Sequence, residues 1–453
     1  MLFSTLPAVA VIALCVALAS FSTDEAEGAR PQARLTAQDR QALIEIRRQV
    51  SSDLRDDVLP FWTRDTVDSD GGFNTVVDRY GKPISTDKYI VMQARMIWTL
   101  SAAQRYGVKS THYLELARNA VHFITDKMWD REYGGFYMIV ARDGTPIGTD
   151  KYLYSQEFVM YALAEYAMVA PSAEEKQFAL TWAGRIFDLI QEKCADPEYG
   201  GYREDFDREW RPLPESLGVG GVPSGKTLNV HMHLMEALTP LVEVTGDPRY
   251  KKALAQVVDL LLAKVITPQG SAKEPFDRQW QPVPEDQGRY STYYGHDVEF
   301  AWLLLDAMRA LGRDPKTIKG QVLGLIDNAL ANGFDQERGG IAALGPRVGR
   351  VFDSTSYHLS KEWWEQAEAL TAFITAFRWT GDRKYLSAFE KEWQWVWNYQ
   401  IDHEGGDWFS DTDWETGKPL TLDKGLNGWK TSYHNGRALM RVEHELNALL
   451  DER

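Results

Sequence analysis

A pair of glycines recurs along this chain at a near-constant spacing, and no other feature constrains the fold as strongly. The pair closes the runs Asp130-Arg131-Glu132-Tyr133-Gly134-Gly135-Phe136 and Asp196-Pro197-Glu198-Tyr199-Gly200-Gly201-Tyr202, each headed by an acid. It returns as Gly71-Gly72, as Gly339-Gly340 behind Asp335, and as Gly405-Gly406 behind Asp402. Steps between second glycines are 63, 66, 139 and 66 residues, so the long step spans two periods and conceals a degenerate copy near Phe276. A second signature runs from Asp78-Arg79 to Pro83, Arg142 to Pro146, Asp207-Arg208 to Pro212, Asp277-Arg278 to Pro282 and Asp413 to Pro419. Short β-prone stretches flank these Gly/Asp/Pro turns, which predicts one small hairpin per unit. Six units of about 65 residues account for the chain.

Between the hairpins lie paired segments with apolar residues at helical spacing. They are residues 87–106 with 111–127, 152–169 with 173–193, 227–245 with 248–265, 293–312 with 315–332, and 361–380 with 383–400. Residues 36–58 and 429–449 add the first and last helices, making twelve. Turn signals such as Thr245-Gly246-Asp247-Pro248 and Thr380-Gly381-Asp382 separate the partners. Helices this apolar and this regular cannot bury their faces pair by pair, so they must share one core. The expectation is an all-α fold, a closed (α/α)6 barrel of twelve helices with short β-hairpins on one rim, as a single domain over residues 35–453. An open superhelix of helix pairs is the alternative.

Ahead of the repeats, Leu6 to Leu18 is an uninterrupted apolar run, too short to span a bilayer and suited to a signal-peptide core. Ala17-Leu18-Ala19 offers a cleavage site before Ser20. Residues 1–19 are therefore expected to be a signal peptide and 20–34 a polar segment, with an exported (periplasmic or secreted) mature chain not held at a membrane. Removing the signal leaves Cys194 as the single cysteine, which rules out an internal disulfide and a cysteine-based metal cluster. Fifty bases against 65 acids leave a net charge of −15 with no basic cluster, which argues against a nucleic-acid partner. The 16 tryptophans and 20 tyrosines fit either a Trp-rich core or flat platforms for the C–H faces of sugars.

Polar residues concentrate where the second, fourth, sixth, eighth, tenth and twelfth helices begin, directly after the hairpins. The runs are Lys88…Gln93-Ala94-Arg95, Lys151…Gln156-Glu157 and Lys226-Thr227-Leu228-Asn229-Val230-His231-Met232-His233. Later units add Tyr294-Gly295-His296-Asp297-Val298-Glu299, Lys361-Glu362-Trp363-Trp364-Glu365-Gln366-Ala367-Glu368 and Trp429-Lys430…Tyr433-His434-Asn435-Gly436-Arg437. His231, His233, His296 and His434 fall at equivalent places, which predicts a shared pocket at the barrel mouth. His112, His122, His358, His403 and His444 lack this register and read as structural or surface residues.

Several chemistries compete for such a pocket. His231 and His233 are two residues apart and point to different sides of a helix, and no HExxH run exists, so no metal site is expected. A Ser-His-Asp triad lacks its G-x-S-x-G elbow. Glycoside hydrolysis needs two carboxylates, which Glu299, Glu368 and Asp297 can supply. Two histidines suit another task, taking a proton from one face of a carbon and returning one to the other face. A C–H beside a carbonyl is a far weaker acid than imidazolium, and each pKa unit costs about 1.36 kcal/mol, so fixed donors must stabilise the enediolate. Arg95, Asn229 and a third histidine are suitable donors.

The runs Asn229 to Glu236, Tyr294 to Glu299, Trp363 to Glu368 and Trp429 to Arg437 resemble those of the cellobiose 2-epimerases, within the N-acylglucosamine 2-epimerase superfamily. The resemblance implies an (α/α)6 barrel and a cofactor-independent isomerase. It implies His296 and His434 as the base–acid pair at C2 of an open-chain aldose, with His233 assisting ring opening. Arg95 and Asn229 match its oxygen-binding residues, and Glu299 matches a carboxylate turned toward the histidine one turn back. Trp364 and Trp429 match the sugar platforms, and Glu368 belongs to the same substrate-binding set. Of the neighbours Trp363 and Trp364, one is expected in the core. Ser432 stands where the family usually has Pro, and Val230 where it has Thr. The implied reaction inverts C2 of the reducing-end glucose of a β-1,4-linked disaccharide to give mannose. A free-mannose 2-epimerase and an aldose–ketose isomerase are related readings; an (α/α)6 hydrolase or a sugar-binding barrel would be of another class.

Overall fold

The computed structural model describes residues 35–213, 225–283, 292–345, 349–351, 359–425 and 429–451. The expected signal segment, the polar segment 20–34 and His358 lie outside the described residues.

Twelve helices of ten residues or more are found among the described residues, in the expected order. They are α1 (Ala37–Ser52), α2 (Ile90–Arg105), α3 (Thr111–Phe123), α4 (Leu153–Val169), α5 (Ala173–Lys193) and α6 (Leu228–Thr245), then α7 (Pro248–Lys264), α8 (Tyr294–Leu311), α9 (Lys319–Asn328), α10 (Trp363–Thr380), α11 (Arg383–Trp395) and α12 (Tyr433–Asp451). The even-numbered helices pack in sequence, α2 on α4 through to α10 on α12, and α12 closes on α2. Each odd-numbered helix covers an even one from outside, α1 lying on α12. The fold is a closed (α/α)6 double ring, not an open superhelix.

Burial explains which helix goes where. In α2 every residue from Ile90 to Ala103 is buried, as a helix enclosed on all sides requires. The outer helix α5 buries one stripe, Ala179, Ala183, Ile186, Phe187 and Ile190, at 3.6-residue spacing. Each large member of such a stripe contributes about 1.5–3 kcal/mol. Most of the tryptophan belongs to this core: Trp62, Trp302, Trp393, Trp395 and Trp408 are fully enclosed. The turn signals act as helix stops and starts. Gly246 ends α6 in the left-handed conformation, and the next residue, Asp247, caps α7 by accepting from the Arg249 N–H. No described helix is long and apolar enough to cross a membrane.

The hairpins join each outer helix to the next inner one and stitch the rim together. The strand that leads into one inner helix pairs with the hairpin of the following repeat: Lys88–Tyr89 with Ile139–Val140, Lys151–Tyr152 with Asp205–Phe206, and Ser360–Glu362 with Asp411–Asp413. The inner helices therefore start one to three residues later than expected, and α12 starts four later, at Tyr433, leaving Trp429 and Lys430 ahead of it. A charged clasp repeats with the strands. Asp130 accepts from Lys151 of its own repeat at 3.1 Å and from Arg208 of the next at 2.9 Å. Asp196 accepts from Lys226 and Arg278 in the same way. Asp402 and Arg79 close the circle from last repeat to first at 2.7 Å. The degenerate fourth copy is the turn Thr267–Ala272, just before Phe276, with Thr267 in place of the clasp aspartate.

Candidate active site

Each inner helix presents two polar registers, and the two do different work. Counted from Lys88, Lys151, Lys226, Thr292, Lys361 and Lys430, the fifth residue on is Gln93, Gln156, His231, Asp297, Gln366 or Asn435. These side chains hold the glycine turns. Gln93 accepts from the Phe73 N–H at 2.8 Å, Gln156 from Phe136 at 2.8 Å, and Gln366 from Ile341 at 2.8 Å. His231 does likewise for Tyr202 through Nε2 at 3.0 Å, its Nδ1 donating to the Thr227 carbonyl. Asp297 accepts from Ala272 N at 2.7 Å. His231 and Asp297 are thus removed from the shared pocket expected for them, and Lys88, Lys151, Lys226 and Lys361 belong to the rim clasp.

The seventh residue on is Arg95, Phe158, His233, Glu299, Glu368 or Arg437. Two residues turn an α-helix by about 200°, so this set faces the barrel axis when the other faces the rim. The axial set meets around Arg437. Its guanidinium donates to Glu236, to Glu299 at 2.5 Å and to Glu368 at 2.7 Å. Burial, then Glu368, pushes Glu299 up to about 8 against the pull of Arg437. Burial also raises Glu368, whereas in Glu236 Arg437 and His233 outweigh burial and lower it.

All three histidines of the site rest Nδ1 on a carboxylate. His233 meets Glu236 at 2.7 Å, His434 meets Glu368 at 2.8 Å, and His296 meets Glu274. A carboxylate that also accepts from Arg437 or Trp302 accepts the hydrogen bond from Nδ1–H and leaves Nε2 as the open nitrogen. Glu299 was expected to turn toward His296; its hydrogen bond goes instead to Arg437, because Glu274 from the preceding hairpin already occupies Nδ1 of His296. The second oxygen of Glu274 accepts from Asn229 N at 3.1 Å, at the start of α6. Burial works against the charged form of His296, but Glu274 outweighs it and raises the pKa. Burial, Arg95 and Arg437 hold His434 well below the ordinary value, and burial lowers His233.

The indole of Trp364 packs against two histidines of this set, 5.1 Å from His296 and 5.7 Å from His434 between ring centroids. Its N–H donates to Glu362 at 2.9 Å, while Trp363 is core, as expected of one of the pair. Arg95 donates to the Trp429 carbonyl at 2.8 Å and to the Tyr154 hydroxyl at 2.9 Å; its Nε and the Asn229 Oδ1 have no protein partner. Tyr154 sets its ring edge-on against both His233 and Trp429. Two groups, His233-Glu236-Glu299 and Glu299-Glu368-His434, bring ligand atoms within 4.8 Å of one another, as a metal site would. The guanidinium of Arg437 already bonds the three carboxylates of these groups, so a fixed cation takes the role a metal ion would have there.

The profile of the N-acylglucosamine 2-epimerase (GlcNAc 2-epimerase) family matches residues 71–438. The chain belongs to this family. It is thereby an isomerase. A cellobiose 2-epimerase of Ruminococcus albus is 32% identical over 403 residues, 87% of this chain and 97% of its own length. The solved structure of cellobiose 2-epimerase from Spirochaeta thermophila is 32% identical, superposes with a TM-score of 0.80, and is covered completely by 92% of this chain. The D-mannose isomerase of Marinomonas mediterranea is more distant, 23% identical over 85% of this chain and 94% of its own.

Motif order alone had marked His233, His296 and His434. Reading sequence motifs missed Glu274, which lies on a hairpin outside any helix register, and Glu236, Arg437 and Tyr154, which stand inside the quoted runs. Alignment of the six repeats on their lysines would have singled out Arg437, since the axial register is visible in sequence.

Proposed function

We propose that this isomerase is a carbohydrate 2-epimerase that inverts C2 of the reducing-end sugar of a β-1,4-linked disaccharide, interconverting glucose and mannose. One observation carries the reading: His296 and His434 both pack on a single indole, each with Nδ1 on its own carboxylate and with opposite pKa shifts. A neutral His434 and a protonated His296 are the resting pair that a glucose-to-mannose turnover needs. Nε2 of His434 takes the C2 proton of the open-chain aldose, and the electron pair passes to the C1 oxygen as an enediolate. Nε2–H of His296 then returns a proton to the opposite face of C2, and the roles reverse for the back reaction. Arg95, Asn229 and His233 surround the developing oxyanion, where donors in a dry site act most strongly. Trp364 and Trp429 present flat faces to the sugar. Glu299 and Glu368 both bind one nitrogen of a single guanidinium, which disfavours the hydrolase reading. Export through residues 1–19 is part of the proposal; the intact mass of protein from its native host should correspond to a chain starting at Ser20, and a full-length membrane-extracted chain would contradict it.

The deciding experiment incubates the protein with cellobiose, lactose, mannobiose and free mannose in D₂O, without metal or nucleotide. NMR should show deuterium at C2 of the reducing-end sugar and both C2 configurations, with the glycosidic bond intact. Released monosaccharides with unlabelled C2 would instead mean hydrolysis. A ketose labelled at C1 would mean aldose–ketose isomerisation, and binding without turnover a sugar-binding barrel.

A further inference from the structure

In four repeats the turn ahead of the hairpin ends on a left-handed glycine: Gly72, Gly135, Gly201 and Gly340, with φ of 68, 78, 71 and 85°. The last repeat puts Asp407 there, at φ 58°, so its structural counterpart of the second glycine is Asp407 and not Gly406. The closing hydrogen bond is the same, Asp402 N to Asp407 O at 2.9 Å against Asp130 N to Gly135 O at 2.9 Å. Side chains rarely occupy this backbone region. The other repeats also leave no room for one: a Cβ at Gly72 would stand 2.7 Å from the Gln93 amide oxygen, and one at Gly201 2.8 Å from Nε2 of His231.

The last repeat has made room by shortening the opposing residue to Asn435, whose Nδ2 donates to Oδ1 of Asp407 at 2.6 Å. The other oxygen of Asp407 accepts from Lys430, and both charged groups are fully buried. This lysine is additional, because the clasp aspartate of the repeat, Asp402, is served by Lys424 at 3.1 Å. Asp407 itself is held from the π-helical segment Asp53–Val58 that continues α1: the Asp57 carboxylate accepts from its N–H at 3.1 Å, and Asp53 accepts from the neighbouring Trp408 indole at 2.9 Å. The two residues that Asp407 grips bracket Thr431 to His434, and Lys430 follows directly on Trp429.

We propose that Asp407 is a positioning residue: through Lys430 and Asn435 it fixes the entry of α12 and so aims Nε2 of His434 and the ring of Trp429. The inference rests on the epimerase reading. A residue that served only the turn would be glycine, as in the other repeats. Asp407 accepts the less favourable backbone and uses its carboxylate to tie the segment that carries one proton-transfer group and one platform.

The test uses the full chain and the double variant Asp407→Gly, Lys430→Met, which restores the glycine of the other repeats and leaves no unpaired buried ammonium. It should melt as a folded protein. Its kcat for C2 exchange in D₂O should fall about 10- to 100-fold, as for a catalytic group displaced by up to an ångström, with KM changed less than about 3-fold. Without any sugar, the ring ¹⁵N resonances of His434, assigned by their loss in His434→Gln, should move. Asp407→Asn, which retains an acceptor for Lys430, should recover part of kcat and provides the measurement if the double variant fails to fold. Wild-type kcat together with wild-type His434 resonances would overturn the proposal. If the wild-type protein exchanges no C2 proton, the epimerase reading falls, and the His434 resonances still decide the positioning of the ring.

Discussion

Nδ1 of His434 lies 2.8 Å from Oε1 of Glu368, an acid on the neighbouring inner helix that also accepts from Arg437 and Trp302. That contact sets the tautomer, leaving Nε2 as the basic atom, and it ties the imidazole to a carboxylate and guanidinium network shared by three other helices. Burial, with positive charge added nearby by Arg95 and Arg437, keeps the ring neutral. The same charge favours an anion forming next to it.

His434→Ala and His296→Ala should each lower C2 proton exchange by about 10²–10⁴-fold while melting as the parent does, the usual effect of deleting one proton-transfer group. His444→Ala is the control. That ring packs on Tyr106 at the far end of the barrel, beside a cavity of about 220 Å³, and its loss should leave the exchange rate close to wild type. Near-normal turnover in either of the first two variants would remove that histidine from the pair.

Glu274→Gln should shift the alkaline limb of the glucose-to-mannose pH profile to lower pH. Burial opposes the charge on His296 and Glu274 overcomes it, so losing the carboxylate lowers the folded pKa. Activity that needs protonated His296 is present below that pKa and lost above it. An unmoved limb in kcat/KM would separate Glu274 from the proton chemistry.

Glu299 ties stability to pH in a stated direction. Its folded pKa of about 8 stands above the ordinary 4.5, so the folded protein holds a proton that the unfolded chain releases. Stability from this group is complete below the unfolded value and is lost as pH rises toward 8. Glu299→Gln cannot titrate and still offers Arg437 an acceptor. Its melting temperature should gain on the parent between about pH 5 and about pH 8, and a constant difference across that range would refute the assignment.

His231→Gln should be nearly silent in both stability and turnover, because glutamine performs the same task at Gln93, Gln156 and Gln366. His231→Ala leaves the buried Tyr202 N–H unsatisfied and should cost about 1–3 kcal/mol in denaturant unfolding. A fall in kcat for the glutamine variant would return His231 to the site.

The sequence by itself determined the ring. A period of about 65 residues, apolar spacing of 3.6 and the Gly-Asp punctuation are local properties of the chain, so twelve helices, their order and the rim hairpins were legible without coordinates. It also determined that His231 and His233 face opposite ways, since two residues turn a helix by about 200°, although which of them faces the axis was decided by the fold. What each axial group bonds to was decided only in three dimensions. Glu274 reaches His296 from a hairpin 22 residues upstream, and Arg437 gathers acids from α6, α8 and α10. These partners depend on how far each helix is rotated and translated within the closed ring, and no periodicity encodes that. Asp407 shows the same division. Its place in the repeat is written in the sequence, one residue beyond the glycine pair, but its left-handed backbone and its hold on Lys430 and Asn435 exist only where the last turn meets the first residues of α12.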